Sequence, residues 1–219
     1  MLSKEFLIKQ IPILKPTDPG SFALSLMEDY KLKHLPVVDN GVYSYLLSEK
    51  DVFLMNNIED PIANVSMYAP YAGEETPILE ILRLMNKDHL TLLPIIEDTG
   101  MYVGAVTSTE LIEKMAEITC SGAEGSIIAL ELNQQDYDLS AMVRLVESNN
   151  AKILTLFTYL SETTEKLNLL FKIDLEDASP VLRSLERFNY RILYYSQKNG
   201  LIDDIQRKRL DELMYYLEM

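Results

Sequence analysis

The sequence predicts a mixed α/β (α+β) chain made of two architectures. A pair of repeated β-α-β-β-α motifs comes first, and a βαββαβ domain closed by a C-terminal helix follows. Three observations carry this. A segment recurs: HLPVVDNGVYSYLLSEKD (residues 34–51) is echoed by LLPIIEDTGMYVGAVTSTE (residues 92–110). Beyond residue 124 the apolar spacing alternates between period 2 and period 3.6, in the order strand, helix, strand, strand, helix, strand. The composition, 47% hydrophobic and 25% charged with 8 Gly and 9 Pro in 219 residues, belongs to a chain that buries a core rather than a disordered or collagen-like one.

The repeat has a constant offset. Pro36 and Pro94 lie 58 residues apart, as do Met27 and Met85. Ser48 and Thr107 lie 59 apart, as do Asp51 and Glu110, because the second turn carries one extra residue. Each copy opens a helix at a proline, Pro19 with Phe22, Leu26 and Met27, or Pro77 with Ile78, Ile81, Leu82 and Met85. Proline suits a first turn, where its missing N–H costs nothing. A strand follows (Leu35–Val38; Leu92–Ile96), then a tight turn at Asn40-Gly41 or Asp98-Thr99-Gly100, the first a strong hairpin signal. The returning strand leads into a helix near Ser48 or Thr107.

From Glu124 the grammar changes. Ser126–Leu132 reads as a strand. Leu139, Met142, Val143 and Val146 mark one helix face, with Asp138 as its N-cap. Two strands follow, and in the second Leu167, Leu169, Phe171, Ile173 and Leu175 alternate strictly. Residues 177–189 read as a helix with Pro180 in its first turn and Val181, Leu185 and Phe188 facing inward. Arg191–Ser196 reads as the last strand, completing the ferredoxin-like order. Lys198-Asn199-Gly200 punctuates, and Ile202, Ile205, Leu210, Leu213 and Leu217 spell a terminal amphipathic helix. The expected domains are 1–60 and 61–119 for the two motifs, and 124–219 for the last.

Charge and residue types exclude several functions. Twenty Lys and Arg against 34 Asp and Glu leave a net charge of −14, which repels phosphate backbones, so nucleic acid is not an expected partner. No apolar run reaches membrane-spanning length, and Lys4, Glu5 and Lys9 interrupt the N-terminus, so neither a membrane partner nor a leader is expected. Cys120 has no cysteine partner, which fits a reducing cytoplasm. With 2 His and 1 Cys no metal site is expected. No Gly-rich phosphate loop and no Ser/His or Cys/His constellation is present, so no catalytic residue, no cofactor and no enzyme activity are expected.

The repeated half resembles a tandem pair of CBS (cystathionine-β-synthase) motifs, the Bateman module. The residues that carry the resemblance are Leu35-Pro36-Val37-Val38-Asp39 with Ser48-x-x-Asp51, and Leu93-Pro94-Ile95-Ile96-Glu97 with Gly104-Ala105-Val106-Thr107-x-x-Glu110. The last domain is similar to ACT domains, on weaker marks such as Asn150-Ala151-Lys152-Ile153, and the domain order is similar to that of the bacillar acetoin-utilisation proteins. The resemblance implies a regulatory sensor of an adenosyl ligand: AMP, ADP, ATP or S-adenosylmethionine. Asp51 would accept hydrogen bonds from the ribose hydroxyls, with Ser48 beside the phosphate at a helix N-terminus. Glu110 and Thr107 would do the same in the second cleft, and the backbone around Leu35-Pro36 and Leu93-Pro94 would line the base pockets. Lys31, Lys33, His34 and Lys50 cluster near the first signature, which favours Asp51 over Glu110, while the net charge of −14 favours a lightly charged ligand such as AMP, or cationic S-adenosylmethionine, over a triphosphate.

The same residues have a structural reading. Ser or Thr followed three positions later by an acid is close to a capping box. Thr107-x-x-Glu110 fits that box in full, and Asp51 is its shorter form. Tyr45 stands where the family usually has a small Gly and would partly fill the first cleft. His34 reads as a half-exposed strand residue, and Tyr194-Tyr195 and Tyr215-Tyr216 as strand and helix faces. The loop Asn133–Asp138 lacks the Gly that turns N–H groups onto an amino-acid carboxylate, so the ACT-like domain is expected to serve oligomerisation rather than amino-acid binding. A homodimer, and a partner enzyme or transporter that reads ligand occupancy, complete the expectation. A ligand-free interaction module is the alternative, and an enzyme of unrecognised kind the remote one.

Overall fold

The computed structural model describes residues 1–63, 65–66 and 68–196. The expected terminal helix, with the 198–200 punctuation and Tyr215-Tyr216, lies outside the described residues. The chain divides into two compact units, Met1–Met115 and Ala116–Met219, each described by itself.

In the first unit, α1 (Gly20–Tyr30) precedes a hairpin of β1 (His34–Asp39) and β2 (Val42–Ser48), and the short α2 (Glu49–Phe53) follows. The second copy runs β3 (Ala72–Gly73), α3 (Ile78–Lys87), β4 (Leu92–Ile96), β5 (Tyr102–Thr107) and α4 (Ser108–Ile118). Pro19 and Pro77 stand one place before the first helical residue, as extended N-caps. Their ring-fixed φ suits that position as well as the first turn. Asn40 and Gly41 both take positive φ, 49° and 87°, the turn geometry that matches the twist of paired strands.

The leading strand of each copy is shorter than the expected motif. In the second it is the two residues of β3, parallel to β4 with Ala72 opposite Ile95. In the first it shrinks to one parallel bridge, Leu14 opposite Val37. Both members of that bridge stand 58 residues before their counterparts, so the two copies share one register.

The copies exchange their leading segments. Residues 1–8 join the second copy: Ser3 N–H donates to Thr76 O (3.0 Å), Ile78 N–H to Met1 O (3.2 Å), and Ile8 and Ala105 bond reciprocally (2.8 and 3.0 Å). Asp60, Ile62 and Tyr68 do the same for the first: Ile62 N–H donates to Asp18 O (2.9 Å), Gly20 N–H to Asp60 O (3.3 Å), and Leu46 N–H to Tyr68 O (3.0 Å). A pseudo-twofold axis relates the copies. It passes Val42 and Met101, repeat equivalents that bridge each other.

Alternation places Leu35, Val37, Tyr45 and Leu47 in one apolar cluster with Leu14, Ala23 and Met27. Leu92, Leu93, Ile95 and Val106 lie in another with Phe6, Ile78, Ile81 and Met85. Each fully buried aliphatic side chain contributes about 1.5–3 kcal/mol relative to exposure.

The second unit is built of β6 (Ser126–Leu132), α5 (Leu139–Glu147), β7 (Ile153–Leu160), β8 (Leu167–Ile173), α6 (Ser179–Arg187) and β9 (Arg191–Ser196). Its antiparallel sheet has the order β7-β8-β6-β9, the ferredoxin-like arrangement. The alternate residues Leu169, Phe171 and Ile173 pack on Met142, Leu145 and Val146 of α5 and on Val181, Leu182 and Leu185 of α6. Phe188, expected to face inward, is 61% exposed. The helix stops at Arg187, so Phe188 leaves the helical face and stacks under the Arg187 guanidinium. The buried Lys172 donates to the carbonyls of Cys120 (2.8 Å), Ser121 (3.0 Å) and Ala123 (2.5 Å), pinning the segment before β6 to β8.

Candidate functional site

Ser48 ends β2 and caps α2. Its hydroxyl accepts from Asp51 N–H (3.1 Å) and donates to Asp51 Oδ2 (2.6 Å), and Ser48 N–H donates to the same oxygen (3.0 Å). The complete box therefore stands at Ser48–Asp51 and not, as expected, at Thr107–Glu110. One methylene already reaches both Ser48 donors, so the longer acid is not required. Among the described residues Asp51 Oδ1 has no hydrogen-bond partner. At the second signature Thr107 Oγ1 accepts from Glu110 N–H (3.2 Å), and among the described residues the Glu110 carboxylate makes no hydrogen bond. The two signatures also differ in their helices: α2 has 5 residues and α4 has 11, so α2 contributes little macrodipole.

The residues around Asp51 come from the hairpin. His34 is half-buried and pairs across the strands with Ser48. Burial holds its imidazole below the usual histidine range, Lys33 adds to this, and Asp51 works against it. Tyr45 is buried and its hydroxyl donates to Ile62 O; burial, then the Asp51 charge, push that phenol up. The tyrosine thus occupies volume beside Asp51. Leu35 and Leu93 are fully buried in the two cores, and Pro36 O already accepts from Leu14 N–H (2.9 Å).

At the second signature the residue equivalent to Tyr45 is Gly104. A Cβ there would stand 2.7 Å from Ile8 O and 2.8 Å from Leu7 Cδ1, so the absent side chain makes room for the chain's own leading segment. The repeat-equivalent tyrosines Tyr43 and Tyr102 have hydroxyls raised by burial. Tyr43 donates to Pro70 O (3.0 Å), whereas the Tyr102 hydroxyl is buried without a partner among the described residues.

Lys31 and Lys33 of the basic cluster line a cavity of about 530 Å³ between α1 and α2, with Glu28, Glu49, Met27 and Phe53. In the second unit Asp138 caps α5 through Ala141 N–H (3.0 Å), and residues 134–136 of the preceding loop form a 3-10 turn. Near that loop, Glu131 is buried and holds Lys166 (3.2 Å), Arg191 (2.5 Å) and the Thr164 hydroxyl (3.3 Å). Burial pushes its carboxyl up, but the hydrogen bond and charge from Lys166 and the Arg191 charge outweigh that and hold it below the usual range. Among the described residues no group of three or more His, Cys, Asp or Glu is placed to hold a metal ion, and no helix is long and apolar enough to cross a membrane.

The family model for the CBS domain matches this chain twice, at residues 4–55 and 62–117. The first half of the chain is a tandem pair of CBS domains. The matched stretches end where the second unit begins, so the family accounts for the CBS pair alone. An uncharacterized protein of Methanocaldococcus jannaschii is 29% identical over 117 residues, 52% of this chain and 28% of that protein. The inosine-5'-monophosphate dehydrogenase of the same organism is 27% identical over 112 residues, 50% and 23% of the two chains. The chain spans about a quarter of the length of these curated relatives. A solved Vibrio cholerae CBS protein, whose name assigns it to acetoin utilization, is 19% identical, with 57% of this chain and 98% of that one covered at a TM-score of 0.50. Another CBS pair, solved with 5'-methylthioadenosine and S-adenosyl-L-methionine, is 21% identical, with 53% and 97% covered at a TM-score of 0.47.

Proposed function

We propose that the CBS pair binds an adenosyl ligand, an AMP-like nucleotide or S-adenosylmethionine, and passes its occupancy to a partner enzyme or transporter through the packing of the modules. The observation that carries this is the split use of Asp51. One carboxylate oxygen holds the capping box, and the other has no partner among the described residues. A charged acceptor with one free oxygen is what a pair of ribose hydroxyls requires. Ser48, the Lys31–Lys33–Lys50 cluster and the backbone near Leu35-Pro36 support the first cleft; Thr107, Glu110 and Leu93-Pro94 support the second. In this reading the chain is organised as motifs 1–60 and 61–119 and an ACT-like domain 124–219, acts in the cytoplasm as a homodimer, and catalyses no reaction itself.

One observation favours the alternative, a ligand-free interaction module: Ser48 and Asp51 satisfy each other, and Tyr45 fills space beside them. Calorimetric titration of the full chain with AMP, ADP, ATP and S-adenosylmethionine separates the two. Saturable binding of one of them supports the sensor. No heat and no rise in melting temperature with any of the four, at concentrations where a ligand at 100 times its Kd adds about 2.7 kcal/mol, selects the interaction module. Sedimentation of a 25.1 kDa species at micromolar concentration would refute the homodimer.

A further inference from the structure

The two copies meet at a second point on their pseudo-twofold axis, where Lys33 and Thr91 are repeat equivalents 58 residues apart. Lys33 N–H donates to Thr91 Oγ1 (3.1 Å). Thr91 N–H donates to His34 Nδ1 (3.3 Å), and Thr91 Oγ1 lies 2.9 Å from the same nitrogen. A backbone N–H can only donate, so Nδ1 is an acceptor and the Thr91 hydroxyl donates to it as well. The neutral ring must then carry its proton on Nε2. The carbonyls of the same two residues hold the starts of both signature helices: Glu49 N–H donates to Lys33 O (2.9 Å) and Ser108 N–H to Thr91 O (3.0 Å). This junction therefore touches the first residue after Ser48 and the first after Thr107.

We propose that His34 and Thr91 form a latch between the two CBS motifs whose Thr91 N–H to Nδ1 bond is made while the imidazole is neutral and broken by its protonation. An imidazolium has a hydrogen on Nδ1 that points at the Thr91 N–H, so that bond is lost and two hydrogens face each other; the Thr91 hydroxyl stays in contact only by turning to accept from Nδ1–H. The charged groups that act on the ring are Asp51, in α2, and Lys33, the residue just before β1. The segment it bonds contributes Leu90 and Thr91, both uncharged. Burial and the lost N–H bond favour the neutral form, and the depressed range of His34 agrees.

The sign follows from linkage. Below the unfolded-state value near 6.5 the unfolded chain takes up this proton and the folded chain does not, so the latch loses stability as pH falls from about 6.5 toward the folded-state midpoint, and the loss levels off below it. The latch stands whether or not a ligand binds.

Long-range proton–nitrogen NMR of the imidazoles in the full chain tests this, with His89→Gln to assign the two rings. The expected result is an Nε2–H tautomer for His34 and a titration midpoint below 6.5. Thr91→Val keeps the N–H and removes the hydroxyl, which accepts from the imidazolium more strongly than it donates to the neutral ring, so it should lower that midpoint by roughly 0.5 to 1 pH unit. His34→Asn keeps an acceptor at the Nδ1 position without a titrating group, so it should lose less melting temperature than wild type between pH 7 and pH 5. An Nδ1–H tautomer, a midpoint at or above 6.5, or a His34→Asn protein that follows the wild-type acid profile would overturn the latch. Because the NMR readout needs only the unsubstituted fold, a variant that fails to fold does not remove the test.

Discussion

Replacing Asp51 by Asn separates capping from ligand binding, because the two roles fall on different oxygens. Oδ2 accepts from Ser48 N–H at 3.0 Å and from the Ser48 hydroxyl at 2.6 Å. An Asn oxygen can take both donors, so the box survives in weakened form. The cost in the free protein should stay below about 1 kcal/mol, since full loss of a cap costs only about 0.5–2. The other position changes from a charged acceptor to an NH₂ donor that faces the ribose hydroxyls. Hydrogen bonds to charged groups are worth about 1.5–3 kcal/mol, so affinity for the adenosyl ligand should fall about 10- to 150-fold. Two calorimetric titrations and two melting curves read this out. A binding loss that only equals the stability loss would make Asp51 a cap and nothing more. Glu110→Gln provides the contrast: its carboxylate has no hydrogen-bond partner among the described residues, so a loss larger than that of Asp51→Asn would move the working site to the second cleft.

Three further outcomes are expected. Lys172→Met removes three bonds from an ammonium to the carbonyls of residues 120, 121 and 123; the carbonyls of the exposed Ser121 and Ala123 regain water, so the cost should be about 1.5–3 kcal/mol in urea unfolding of the second unit, and a cost under about 0.5 would show that the clamp contributes nothing. Gly104→Val places a branched side chain where even a Cβ meets Ile8 O at 2.7 Å, so the amides of Ile8 and Ala105 should lose protection from hydrogen exchange; unchanged protection would mean that the leading segment is not held there. The twenty amino acids should fail to bind the second unit of the full chain, and a Kd below about 100 μM, roughly −5.5 kcal/mol, would show that the Gly-free loop at 133–138 can bind them.

Much of the fold is legible because its cause is local. The strands Leu92–Ile96, Ser126–Leu132 and Arg191–Ser196 fall on the residues that apolar run and alternation mark, since strand faces alternate with period 2. The positive-φ turn at Asn40-Gly41 is a property of two residues. Phe188 was not legible, because helical spacing says which residues share a face but not where the helix stops. The capping box was misplaced for a related reason: Ser-x-x-Asp and Thr-x-x-Glu differ by one methylene, and which acid turns back depends on where the hydrogens around it point.

By itself the sequence determined that the chain carries two copies of one motif and then a βαββαβ domain, because a repeat offset and a periodicity are written along one dimension. It also marked Ser48, Asp51, Thr107 and Glu110 as the residues able to do chemistry at a helix start. Only the tertiary structure decided how the copies combine. The exchange of residues 1–8 and of Asp60, Ile62 and Tyr68, the proximity of Tyr45 and His34 to Asp51, and the bonding of Thr91 to His34 all join residues that the sequence sets apart. A hydrogen bond is set by distance and direction at about 3 Å, and neither is encoded by any residue until the core has packed and brought the partner into place.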